Sequence, residues 1–181
     1  MAKKGQTWIS AILYLALGLV VIGIILGVTL PVVNNVRDRN TYIQTKELMV
    51  GLDKNILEIT NEGPGSRRFL SPLTIEKGTL YISPPKQATD PDKIVWKFKT
   101  KSKLMEPDLE FKEGNLKLML AKTIVADEYE LSITMEYGNA NIKLVSMLAN
   151  PFVGTYSMAI ENAGYESGQD KPSVNIDMKT G

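Results

Sequence analysis

Cysteine and histidine are both missing from this chain of 181 residues. Without cysteine there is no disulfide and no thiolate metal site. Without histidine, the commonest general base and metal ligand is gone, and with it the Ser–His and Cys–His pairs of most hydrolases. There is no basic domain either. Lys and Arg number 21 against 20 Asp and Glu, with no basic stripe interleaved with aromatics, so nothing points to nucleic acid. No glycine-rich phosphate loop, Gly-x-Ser-x-Gly turn or nucleotide motif occurs. Nor is there an Asn-x-Ser/Thr acceptor for N-glycosylation. The expectation is a protein that is not an enzyme, with no catalytic residues, no metal and no cofactor. This length holds one ordinary domain plus a long helix.

What is present is unevenly distributed. Charge is absent from Trp8 to Val33, a largely apolar run of 26 residues. As a helix it is ~39 Å long at ~1.5 Å per residue, and a bilayer core needs only ~20 residues. An ordinary secretory signal has a hydrophobic stretch of ~7–15 residues and then a small-x-small cleavage site. This run is longer, and Thr29-Leu30-Pro31-Val32-Val33-Asn34 offers no such site. Lys3 and Lys4 precede the span while Arg37 and Arg39 follow it, so charge alone assigns no orientation. Trp8 fits an interfacial anchor.

Lys3-Lys4-Gly5-Gln6-Thr7, abutting an uncharged helix without a break, resembles the class III signal peptide of archaeal type IV pilins. The likeness covers about the first 60 residues. It implies cleavage by a prepilin peptidase between Gly5 and Gln6, with the apolar helix kept on the mature protein and packed into a filament core. Loss of Lys3 and Lys4 takes the basic residues from 21 to 19 against 20 acidic ones, a formal charge of −1. Many pilins carry a glutamate five residues into the mature helix. Here that position is Ser10, a departure that removes the salt bridge to a neighbour's new amino terminus and points toward a minor subunit.

The helical pattern continues to about Glu62. Pro31 removes the backbone bond to Gly27 and predicts a kink or loosening there. Gly18, Gly23 and Gly27 lie in the same stretch. Gly23 and Gly27 form a small-xxx-small pair that lets helices approach closely, and glycine is also generally tolerated in membrane helices. Beyond the span, Val36, Ile43, Val50 and Leu57 recur every seven residues as one stripe. Leu48, Met49, Leu52, Ile56 and Ile59 fall roughly opposite at 100° per residue, with Lys46, Glu47, Asp53 and Lys54 between the two. One stripe can pack on the chain's own domain while the other takes a neighbouring subunit; alternatively, a broad face sinks into a single core. Gly63-Pro64-Gly65-Ser66 ends the helix.

From residue 66 to 181 the sequence reads as a β-rich domain, which the pilin resemblance implies is extracellular. Period-2 alternation marks Ile94, Trp96 and Phe98, then Leu116, Leu118 and Leu120, then Tyr129, Leu131, Ile133, Met135 and Tyr137. Tyr156, Met158 and Ile160 follow, and Val174, Ile176 and Met178 make the last set. Hairpins are predicted at Glu76-Lys77-Gly78 and Glu113-Gly114-Asn115, and a turn at Gly138-Asn139-Ala140-Asn141. Residues 164–171 read as a mobile loop. The expected fold is α+β. A long N-terminal helix precedes about eight strands, arranged as an antiparallel sandwich, a wrapped sheet, or a single sheet on the helix.

Glu106, Asp108 and Glu110 alternate as if on one strand face, and an exposed sheet face near a turn accounts for them better than a cation site. Asp90 and Asp92 flank Pro91 in what reads as a solvated loop. Trp96, Phe98, Tyr129 and Tyr137 occupy apolar phases and are expected in the core rather than in a glycan-stacking patch. The functional expectation is a type IV pilus-like filament subunit, a homopolymer inserted in the membrane before assembly. Its other partners would be prepilin peptidase and a pilus assembly platform, and its role surface attachment. A single-span surface binding domain and a minor pilin-like component of a secretion or uptake machine are the alternatives.

Overall fold

The computed structural model describes the backbone of residues 3–83 and 92–180, with helical side chains at Trp8 and from Ser10 onward. The chain divides into two compact units, Met1–Asp38 and Arg39–Gly181. One helix, α1 (Lys3–Glu62), runs through the first and opens the second. It stays α-helical on both sides of Pro31.

The second unit adds eight strands to the end of α1. They are β1 (Arg67–Ile82), β2 (Asp92–Thr100), β3 (Glu110–Glu113), β4 (Leu116–Lys122), β5 (Tyr129–Tyr137), β6 (Asn141–Leu144), β7 (Phe152–Tyr165) and β8 (Pro172–Thr180). All join one open sheet in the order β3-β4-β5-β2-β1-β7-β8-β6. Every pairing is antiparallel except β6 with β8. The architecture is therefore α+β, a long apolar N-terminal helix followed by a mostly antiparallel sheet, and not two separate stacked sheets.

Alternation decides which face is inside. Ile94, Trp96, Phe98, Leu116, Leu118, Leu120, Leu131, Ile133, Met135 and Tyr137 all point into one core. Phe152, Met158, Ile160, Val174, Ile176 and Met178 join them from the other limb of the sheet. Met49, Leu52, Ile56 and Ile59 of α1 complete it. The aromatics of the alternating strands are thus core residues, and Trp96 donates its indole N–H to the Lys77 carbonyl at 3.0 Å. The sheet curls. Asp92, in a central strand, accepts a hydrogen bond from the backbone N–H of Ile142 in edge strand β6, at 2.9 Å.

Several local expectations are overturned. Leu73 to Ile82 is not a hairpin but part of the single strand β1. Its early residues and Leu80 pair with β7 and residues 79–82 pair with β2, and Glu76-Lys77-Gly78 lie in the irregularity that shifts the β1–β7 register. The turn at 138–141 does separate β5 from β6, but the two strands are not neighbours, because β6 lies at the far edge beside β8. The loop within 164–171 is confined to residues 166–171. Gly164 and Tyr165 still belong to β7, Lys143 pairs with Glu166 at 2.5 Å, and Asn141 donates to Gln169 at 2.8 Å. Glu106 and Asp108 precede β3 and share no strand face with Glu110. They pair with Lys103 and Lys122, at 3.2 and 3.5 Å. Asp92 is buried in β2 rather than solvated, while Asp90 and Pro91 lie outside the described residues.

Gly78 carries the irregularity in β1. It has φ +88°, and a Cβ there would stand 2.3 Å from the Lys97 carbonyl oxygen and 2.6 Å from Phe98 Cβ. Both the backbone angle and the contact with β2 exclude a side chain. Gly78→Ala is expected to destabilise the sheet by about 2 kcal/mol or more, read as a lower urea midpoint at unchanged slope. Gly168→Ala, at a similar φ of +82° but in open space, is expected to cost only about 1 kcal/mol.

Candidate assembly surface

In the first unit, α1 is a helix long and apolar enough to cross a membrane, and none of its most apolar window is buried. Every large apolar side chain from Ile12 to Val33 is exposed, with Trp8 and Tyr14 each 75% exposed. Ser10 also lies on this surface. The backbone of Lys3, Lys4, Gly5 and Gln6 is helical, and their side chains fall outside the described residues. Gly18, Gly23 and Gly27 leave open space where a Cβ would stand. Gly23, Gly27 and Pro31 follow one another at four-residue spacing, so they share a side of the helix. Pro31 has no N–H for the Gly27 carbonyl. That side is thin and locally polar, the kind of surface on which a second helix can approach closely. Val36 closes this unit's apolar series, also exposed.

In the second unit, α1 separates its two stripes. Met49, Leu52, Ile56 and Ile59 are buried in the core, and Leu48 packs against it. Ile43 and Val50 remain 42% and 45% exposed, and Leu57 is half-buried. The sequence left open whether one broad face sinks into one core; within this unit the stripes part.

Polar contacts fix the rotation of the helix that makes this division. Asp53 is a buried carboxylate on the inward side. It accepts from Tyr137 Oη at 3.1 Å and from Asn115 Nδ2 at 2.8 Å. Burial, then the adjacent carboxylate, pushes the Tyr137 phenol well above its ordinary range, so it stays protonated and donates. Lys46 pairs with Glu113 at 2.5 Å on the β3–β4 hairpin. At the helix end, Asn162 Nδ2 and Ser66 Oγ both donate to the Ile59 carbonyl, at 3.0 and 2.9 Å. They satisfy an acceptor that the helix itself leaves unpaired.

The sequence places Asp53 only among the polar residues between the stripes, and Asn162 was missed although periodicity marks it. At 100° per residue Asp53 lies about 40° beyond Met49, on the flank between the buried arc and Leu57. Asn162 continues the inward phase of Met158 and Ile160. For Asn162, a polar residue in an apolar phase was the available signal.

Asp53→Ala is expected to destabilise the domain by about 1–3 kcal/mol, because Tyr137 then keeps an unpaired buried donor and the half-buried Asn115 loses its partner. The double change Asp53→Leu with Tyr137→Phe is expected to recover much of that loss. Urea unfolding of the full chain in detergent micelles measures both.

No protein-family model, curated protein or solved structure matches this chain.

Proposed function

We propose that this chain is a structural subunit of a type IV pilus-like surface filament, assembled through its N-terminal helix. The observation that carries the proposal is the apolar run of α1, which has no covering among the described residues of the chain itself. Burying one large aliphatic side chain is worth about 1.5–3 kcal/mol. A run of this length in water is therefore untenable. Lipid satisfies it before assembly, and a bundle of identical helices satisfies it afterwards. The exposed Ile43 and Val50, on a helix locked into its own domain by the opposite stripe, extend the same demand beyond the span.

In this proposal the precursor is cleaved by prepilin peptidase between Gly5 and Gln6 and handed to an assembly platform. The mature form stands outside the cell as a filament that attaches cells to surfaces. Ser10, in place of the glutamate many pilins carry, favours a minor subunit.

Intact mass of the protein recovered from its native envelope tests the processing step. A start at Gln6 with the helix retained is expected. A retained Met1 would instead favour a single-span surface domain that does not polymerise, and a start beyond Val33 would sink both. A second test separates assembly from folding. Ile43→Glu and Val50→Glu are expected to change domain stability by no more than about 0.5 kcal/mol, as exposed positions do. The same variants should abolish filaments in material sheared from cells. Wild-type levels of filament would argue against the exposed stripe as an assembly contact.

A further inference from the structure

The outer face of the sheet carries a groove unrelated to the helix, and its chemistry points to a ligand. It is an open groove with about 640 Å³ of space, a volume within the ~300–1,000 Å³ of small-molecule sites. Two rows of register partners cross it. Tyr81, Val95, Thr134 and Lys117 make one, from β1 through β2 and β5 to β4. Lys97, Ser132, Met119 and Glu110 make the next, ending on β3. From β1 to β3 the groove crosses four inter-strand steps, ~19 Å at ~4.8 Å each.

Its charges balance. Lys93, Lys97 and Lys117 stand against Glu110, Glu130 and Glu136. Two of these lysines are bonded to glutamates, Lys97 to Glu130 at 3.1 Å and Lys117 to Glu136 at 2.6 Å. The hydrogen bond to Glu136 holds the Lys117 ammonium above its usual range, so Lys117 stays charged at neutral pH. Each pair sets donors beside acceptors, and Ser132 and Thr134 add hydroxyls between them. Val95, Met119 and the Tyr81 ring supply apolar surface among the polar groups.

We propose that this groove binds a neutral oligosaccharide, lying across the strands. A sugar hydroxyl donates and accepts at once, as a lysine–glutamate pair requires, and the C–H faces of the rings suit the apolar floor. An anionic chain would face three carboxylates and a cationic one three ammonium groups, so either sign meets repulsion. The site goes beyond the filament proposal and does not rest on it, since no residue of α1 lines it.

The test uses the full chain with 13C-methyl methionine, in a zwitterionic detergent without sugar headgroups. The probes are neutral tetrasaccharides of glucose, galactose, mannose and N-acetylglucosamine, with a heparin tetrasaccharide as the anionic control. At least one neutral probe at millimolar concentration is expected to move the Met119 methyl resonance, while Met158 and Met178, in the core, stay put. Thr134→Tyr, which fills the groove from its floor, should weaken binding about tenfold or more. Lys99→Gln, outside the lining and paired with Glu128, should leave it unchanged. If Thr134→Tyr disturbs the core methionines, Glu136→Gln repeats the test by removing one acceptor without added bulk. A silent Met119 with all neutral probes, a stronger response to heparin, or undiminished binding by a groove variant with native core resonances would overturn the proposal.

Discussion

A helix with two apolar stripes can bury only one of them in the domain it packs against, and the rest of this structure follows from that constraint. Met49, Leu52, Ile56 and Ile59 go into the core. Once they do, Ile43 and Val50 must lie outside it, because residues on opposite sides of a cylinder ~10 Å across cannot face the same sheet. The sheet answers with its own geometry. It curls until edge strand β6 meets the Asp92 carboxylate of β2, which lets one sheet enclose one helical face without a second sheet.

Apolar contact is nondirectional and would tolerate some rotation of the helix. The polar contacts do not. Asp53 has two donors from β4 and β5 territory, Lys46 meets the β3–β4 hairpin, and the Ile59 carbonyl is held by Asn162 and Ser66. These bonds are short and angle-dependent, so a modest rotation leaves a carboxylate or a carbonyl unsatisfied away from water. The outcome is a helix whose unburied stripe is displayed at a set orientation on its domain. In an assembling subunit, that is the property that lets a weak, repeated contact be reproducible.

The sheet's two faces divide the remaining tasks. Inward positions are nearly all apolar, whereas the outward positions of β2, β4 and β5 mix lysine, glutamate and hydroxyl side chains with a few apolar ones such as Val95 and Met119. Cross-strand opposite-charge pairs contribute only a few tenths of a kcal/mol to about 1 kcal/mol each. Solvation of the outer face accounts for its polar residues, and the groove they line is where the proposed ligand would sit.

Much of this was legible in the residues. The unbroken apolar run, the end of the helix at Gly63, the strand phases and the core aromatics follow from periodicities of about 3.6 and 2, which are local properties of the chain. What failed was pairing. Glu76-Lys77-Gly78 has the composition of a hairpin turn, yet it lies inside β1, where Gly78 serves a close approach to Lys97 rather than a reversal. Asn139 and its neighbours read as a turn between adjacent strands, but β6 pairs in parallel with β8 at the sheet edge. Which strands become neighbours depends on contacts remote in sequence, and no local period encodes them. Sequence by itself determined that two stripes exist on α1 and that a long apolar segment needs covering. Only the tertiary structure decided which stripe the domain takes, because that choice rests on Asp53, Lys46 and Ile59 finding partners on strands far along the chain.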